Sequence, residues 1–411
     1  KIIFALTSVG LLILLIFPAS LSATHFKYGT MSWELDPSDP DNLTIRLKME
    51  NGWRAGHTMF NNGNLAVKNS IKLYESGSSG NKLIKNFSWG DGSDPINVYV
   101  KVLSRDNDSA IDTITTESGD NASGWSIAGL THTYPDNATT EYIISWNSVS
   151  RVSTDVQNSS ANGTAWRSQT KVNIRGTHNG NSSPVSAVPA IVRIQDNTSF
   201  QYQVSASDPD QDTLSYRWGT KAEFFSSSGS FTQPTGMTLS PSGLIQWDIR
   251  DSGGQATAED DYWVAVIMVS DNDSSGNEKS YVPVDFFFKV TAPSNAAPAF
   301  TEFPPNSTVS LGSTKIFTIK STDDSGIAPT ISILNPPSDN DSIWSDNSSS
   351  SMVDGDNITT FTIGFSPVSS MGNTSKVIKV RSTDGASMTK DQSFSIFIST
   401  VSNADPTAPI L

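Results

Sequence analysis

Three aspartates, Asp208, Asp210 and Asp212, stand at every second position in SASDPDQDTLSYRW, residues 205–218. Side chains at i, i+2 and i+4 share one face of a strand, and in a turn they can converge. Carboxylates gathered in this way suit a hard cation such as Ca2+, which takes roughly six to eight oxygens at about 2.3–2.6 Å. Asp271 and Asp273, in VIMVSDNDSSG, fall at the end of a later expected strand and could join the set. A different role is structural, with aspartates accepting from backbone N–H groups in a solvated hairpin. Asn272 opens an Asn-x-Ser sequon between the two later acids, and a glycan there would crowd an ion. The same DND tripeptide recurs at Asp106–Asp108, which points to a shared turn habit. Acid–base catalysis fits less well, because it needs a carboxyl of raised pKa in a cleft. Close-set aspartates in a polar loop stay mostly ionised, and a glycosidase pair drawn from distant loops leaves no trace in sequence spacing.

Other reactive constellations are missing from the sequence. The four histidines, His25, His57, His132 and His178, have no zinc-ligand spacing. There is no Gly-x-Ser-x-Gly elbow, phosphate loop or dinucleotide fingerprint. With no cysteine, thiol chemistry and disulfides are excluded. Six tryptophans, Trp33, Trp53, Trp89, Trp125, Trp146 and Trp166, lie in the first part of the chain. Exposed, such a row could stack on sugar rings; buried, it would fill the space between two sheets.

The elements that would position these residues are strands. NLTIRLKM alternates Leu43, Ile45, Leu47 and Met49 with polar residues, and SFQYQVSAS, FTIGFSP and SFSIFIST repeat the pattern. Period-two alternation means a sheet with one buried and one wet face. YWVAVIMVSD, residues 262–271, is apolar on both faces and suits a central strand. No helical periodicity follows residue 23. Short strands separated by Gly, Asn, Asp and Ser turns predict an all-β chain of tandem immunoglobulin-like β-sandwich domains. NSSPVSAVP, NAAPAF and NADPTAPI begin at Asn181, Asn295 and Asn403, 114 and 108 residues apart. This recurrence sets expected domains at 24–178, 179–293 and 294–402, joined by short extended linkers. Residues 403–411 read as a linker to a further domain.

The N-terminal KIIFALTSVGLLILLIFPASLSA has one lysine, an apolar run, Pro18 and small residues. This is the layout of a signal peptide over residues 1–23, cleaved near Ser22 or Ala23; retained, it would be a hydrophobic signal-like helix or anchor. Net charge is −14 over 411 residues, with no basic patch, which argues against nucleic acid as a partner. Fifteen Asn-x-Ser/Thr sequons predict N-linked glycans on an exported chain. The acceptors are Asn42, Asn86, Asn107, Asn121, Asn137, Asn158, Asn162, Asn197, Asn272, Asn306, Asn340, Asn347, Asn357 and Asn373; at Asn181 the nearby Pro184 argues against a sugar.

Two resemblances add to this reading. NFSWGDGSDPINVYVKV and LTHTYPDNATTEYIISW, within residues 86–146, resemble the PKD-type immunoglobulin-like sandwich. Trp89, Gly90, Asp91 and Gly92 match its turn without the two spacer residues, and His132, Thr133 and Tyr134 match its strand-opening motif. The region is longer than one such module, so extra strands are expected. Residues 184–290 resemble cadherin-like and other immunoglobulin-like repeats of surface proteins through VSASDPDQDTLSYRW, PTGMTLSPSGLIQW and VIMVSDNDSSG. That resemblance implies Ca2+ at an inter-domain edge. Residues 295–400 share the architecture but lack the Asp-Pro-Asp-x-Asp stretch.

The expected function is non-enzymatic: a glycosylated, extracellular or cell-surface protein with a structural or adhesive role. It could be a subunit of a filament or appendage, self-associating through sandwich edge strands or pairing with other surface proteins. A carbohydrate-binding or receptor ectodomain, with polysaccharide as partner, is the alternative. An enzyme with unrecognised acids is the more distant one.

Overall fold

The computed structural model describes residues 26–56, 70–74, 85–93, 98–106, 113–119, 130–136, 141–148, 151, 156–158, 166–186, 188–189, 191–196, 199–225, 231–249, 261–291, 297–323, 327–334, 344–353, 356–385 and 388–400. The expected signal segment 1–23 and the expected linker 403–411 lie outside them. The described chain is all-β, built as immunoglobulin-like sandwiches; its one α-helix is the single turn Lys221–Phe224. No helix among the described residues is long and apolar enough to cross a membrane.

The alternating pattern produces the expected one-sided strands. In Thr44–Arg54, Ile45, Leu47 and Met49 are buried and Thr44, Arg46 and Lys48 are partly exposed. In Ser199–Gln203 only Phe200 and Tyr202 are buried. Tyr262–Asn272, apolar on both faces, is buried almost throughout. Its pleat explains why: Trp263, Ala265, Ile267 and Val269 enter one apolar cluster, while Tyr262, Val264, Val266 and Met268 enter another.

Three principal cores draw on residues 26–174, 188–290 and 309–398. The third is enclosed by two four-stranded sheets. The first two are not beads on a string, because a 13-stranded sheet runs through both. Its keystone is the 14-residue strand Glu278–Thr291. One edge of that strand pairs antiparallel with Tyr262–Asn272. The other edge is taken up in turn by Trp166–Asn173 at Tyr281, by Phe26–Leu35 at Val284 and Asp285, and by Ile191–Gln195 from Phe287 to Thr291. The segment expected to be an extended linker is instead packed: Asn181, Ser182 and Ser183 are buried. A strand long enough to pair with both units makes a flexible link between them unnecessary.

The tryptophans settle as core. Trp33, Trp53, Trp89, Trp146 and Trp166 are each at most 2% exposed, which removes them as a sugar-stacking row; Trp125 lies outside the described residues. Phe26 stacks on Trp166 at 3.9 Å, and Trp53 meets both Trp146 and Trp166 at 6.0 Å. The third sandwich packs back on the other two through polar contacts. Ser205 Oγ donates to the Ser393 carbonyl at 2.7 Å, Ser207 and Ser375 share a hydroxyl contact at 3.0 Å, and Lys379 pairs with Glu50.

Candidate functional site

The Asp208–Asp212 turn lies between the short strand Ala206–Ser207 and the strand Thr213–Trp218. It closes locally because Asp208 Oδ1 accepts from the N–H groups of Asp210 (2.9 Å) and Asp212 (3.0 Å). Gln211 takes φ +65, a left-handed conformation that lets the chain reverse. The turn thus does cap its own backbone, but it is not the solvated hairpin that such capping suggests. Asp208 is only 5% exposed, and its Oδ2 is enclosed without a hydrogen-bond partner. One carboxylate oxygen from each of Asp208, Asp210 and Asp212 lies within 4.8 Å of the others.

Burial drives the electrostatics of the turn. Loss of water pushes the Asp208 carboxyl up to about 8, and the nearby charges of Asp271, Asp210 and Asp212 add to this against the Asp212 N–H. Asp210 is raised to about 6, first because its carboxyl end is crowded away from water although the residue is exposed overall. Lys279 pairs with Asp212, and its ammonium also faces Asp271 and Asp210.

Asp271 lies beside the cluster and does not enter it. Its Oδ1 accepts from the N–H (2.7 Å) and hydroxyl (2.6 Å) of Ser280, and its Oδ2 accepts from Asn181 Nδ2 at 3.0 Å. Asp273 is a correction to the expected ligand set. It shapes the hairpin turn instead, accepting from the N–H groups of Ser275 (2.8 Å) and Asn277 (2.9 Å). Asp273 lies beyond the end of the strand Tyr262–Asn272, and a register shift between Asp271 and Asn272 breaks the alternation that would have put the two acids on one face.

The turn also touches the first sandwich through residues 181–183. Asp210 Oδ2 accepts from the Ser182 N–H at 2.6 Å. On the far side, Ser183 Oγ accepts from the Trp33 N–H at 2.8 Å, and the Ser183 N–H donates to the Trp33 carbonyl at 2.9 Å. Segment 181–183 is therefore a polar bridge from the acidic turn to the strand Phe26–Leu35.

A second polar group assembles the two motifs quoted from residues 89–92 and 132–134. His132 Nε2 lies 2.8 Å from Asp91 Oδ2, and the His132 ring stacks on Trp89 at 4.5 Å. Tyr134 donates its hydroxyl to the Trp89 carbonyl at 3.0 Å. Ser93 donates to Asp91 at 2.5 Å, so its proton is directed at the carboxylate and not at the imidazole. A nucleophile–base relay needs the hydroxyl to face the base while the acid holds the opposite ring nitrogen. Asp91 and Ser93 both face Nε2 here, so the group clamps a turn and has no nucleophile geometry.

The sequons fall into different environments. Asn306 and Asn373 are exposed; Asn42, Asn272 and Asn357 are half-buried. Asn86 and Asn347 lie in the strands Lys85–Ser88 and Trp344–Val353. Asn107, Asn121, Asn137, Asn162, Asn197 and Asn340 lie outside the described residues. Asn158 is a correction: it is 4% exposed, its Nδ2 donates to the Val264 carbonyl at 2.9 Å, and its Oδ1 accepts from the Val264 N–H at 2.9 Å. A sugar on that nitrogen would displace both the bond and the packing. Site mapping by mass spectrometry of the native protein should find Asn158 bare, with Asn306 and Asn373 among the occupied sites; a glycan on Asn158 would contradict the packing seen here.

Sequence reasoning missed one further feature, the buried pair Arg151–Asp285. Arg151 is 0% and Asp285 2% exposed, and both guanidinium ends reach the carboxylate. The guanidinium also lies 5.8 Å from the ring centres of both Phe26 and Phe287. A signal was present: Asp285 is the lone acid within YVPVDFFFKV, a run whose other charged residue is Lys289 and whose remaining positions are apolar on both faces.

Residues 27–175 match the family model described as "Integrin beta-like protein A-E, N-terminal". That match covers the region that resembles PKD-type modules, and it is to a different family. Among curated relatives, the chain is 25% identical over 274 residues to Integrin beta-like protein A of Dictyostelium discoideum, covering 64% of this chain and 12% of that protein. It is 30% identical over 227 residues to Integrin beta-like protein C of the same organism, covering 54% and 10%. The chain thus spans about a tenth of the length of these relatives. Among solved structures, the Ig1-2 module of the Drosophila receptor tyrosine phosphatase DLAR overlaps 52% of this chain and 98% of its own at 14% identity and a TM-score of 0.22. The sialic acid binding region of a Streptococcus sanguinis adhesin overlaps 53% and 77% at 11% identity and a TM-score of 0.21. Overlaps this slight carry no argument about function.

Proposed function

We propose that this chain is part of a non-enzymatic, glycosylated cell-surface protein that acts in adhesion. The observation that carries the reading is the match of residues 27–175 to the integrin beta-like N-terminal family, together with similarity to two curated Dictyostelium proteins of that description. The architecture is compatible with such a role. A continuous sheet through two sandwiches forms a stiff unit, and stiff units transmit force without extending. The sequons at Asn306 and Asn373 offer reachable glycan acceptors. Self-association is a finer proposal within the same reading: Trp344–Val353 ends one sheet of the third sandwich, and an end strand can pair with another chain.

The test uses the cells that make the protein. An antibody against the native chain should stain intact cells, and deletion of the gene should reduce attachment to beads or to a solid surface several-fold. Staining only after permeabilisation, or attachment unchanged by the deletion, would sink the proposal.

A further inference from the structure

We propose that Asp208, Asp210 and Asp212 bind one Ca2+ ion, and that the ion secures the bridge through residues 181–183 that ties the second sandwich to the first. Three separate observations carry this. The first is geometric: the three aspartates each bring a carboxylate oxygen within 4.8 Å of the other two. Oxygens bound to one Ca2+ at about 2.3–2.6 Å lie no more than about 5 Å apart, so the spacing fits a common ion. The second is the Asp208 Oδ2 atom. Its sister oxygen already accepts two backbone N–H groups, whereas Oδ2 is enclosed and has no hydrogen-bond partner. A buried carboxylate oxygen left bare is costly, and a cation in the cluster relieves it. The third is the local charge. Asp208 feels the charges of Asp210, Asp212 and Asp271, and the Lys279 ammonium that faces these acids is bonded to Asp212.

The donors favour Ca2+ over other ions. All three are hard oxygens from one irregular turn, and the described cluster contains no histidine. Mg2+ demands a near-octahedral shell and sheds its waters reluctantly, whereas Ca2+ accepts irregular oxygen sets. Asp271 belongs to the surrounding shell, because both its oxygens are held by Ser280 and Asn181. The consequence follows from Asp210, which accepts the Ser182 N–H through its Oδ2. An ion that fixes the Asp210 carboxylate also fixes its hold on Ser182. Through Ser183 that hold reaches the backbone of Trp33 in the first sandwich. The ion would therefore stiffen the junction at a point the shared sheet does not cover. This inference does not rest on the adhesive reading and could hold if that reading fails.

The test is calorimetric titration of the whole chelator-stripped chain with CaCl2. We expect one binding event in the wild type, its loss in the double variant Asp210→Asn/Asp212→Asn, and its retention in Asp273→Asn, which alters an acid outside the cluster. Hydrogen exchange on the wild type should show the Trp33 and Ser182 amides slowing several-fold with CaCl2 and little with MgCl2. This second measurement needs no variant and stands even if the double variant fails to fold. Absence of both heat and slowing up to millimolar CaCl2, or binding that survives in the double variant, would overturn the site. Binding without slower exchange would overturn the bridging role, and an equal response to MgCl2 would overturn the choice of ion.

Discussion

Replacing Asp285 with asparagine should destabilise the first two sandwiches by about 3–5 kcal/mol, the cost of leaving a buried guanidinium without its counter-charge. Arg151 and Asp285 are almost completely excluded from solvent, so water cannot stand in for the lost carboxylate. Asp285 also sits in the strand Glu278–Thr291 opposite Gly29, where the first sandwich joins the shared sheet. The loss should therefore appear in the unfolding of both units together. Urea unfolding followed by tryptophan fluorescence is a suitable measurement, because nine of the ten tryptophans precede residue 264. The double variant Arg151→Met/Asp285→Leu separates two explanations. If the pair is a locked charge, removing both partners should restore most of the stability, since apolar replacements of buried pairs are often neutral or better. If the double variant is as unstable as the single one, the pair is not what holds this joint. A single variant with an unchanged midpoint would contradict the buried geometry altogether.

Truncation of Trp166 to alanine should cost a similar amount, about 3–5 kcal/mol for a large aromatic removed from a closed core. Trp166 has no exposed surface, stacks on Phe26 at 3.9 Å, and meets Trp146 edge-on at 5.6 Å. Among the described residues its partners Phe26, Trp53 and Trp146 are rings held in other strands, which resist collapse into the space. The same experiment weighs the carbohydrate-binding alternative. With Trp33, Trp53, Trp89, Trp146 and Trp166 inside, adding polysaccharide should leave the fluorescence of these five rings unchanged. Saturable quenching that survives in the variant Trp125→Phe/Trp218→Phe/Trp344→Phe, which removes the half-buried Trp218 and two tryptophans outside the described side chains, would contradict that burial.

Different kinds of residue were legible in the sequence to different degrees. Strand type was written plainly in the alternation of Thr44–Arg54 and in the two-sided apolar run Tyr262–Asn272, because side-chain periodicity along one strand is a local property. The Asp208–Asp212 cluster was legible for the same reason, as its members lie within five consecutive residues. Asp271 and Asp273 show where that logic stops. They are two positions apart and look equivalent in sequence, yet one is sealed against Ser280 and the other caps an exposed turn. Asn158 makes the same point, since its sequon cannot reveal that Val264, more than a hundred residues away, occupies both ends of its amide.

By itself the sequence determined that this protein would be strands, that its acids would gather in one turn, and that its chemistry would lack thiols. Each of those follows from residue type and short-range spacing. Only the tertiary structure decided that two expected sandwiches share a sheet, that an expected linker is a buried bridge, and that Arg151 meets Asp285 across 134 residues of chain. Those outcomes depend on which strand edges and which charges meet after the chain has folded back on itself. Pairing over such distances leaves no periodic mark for a reader of the sequence to find.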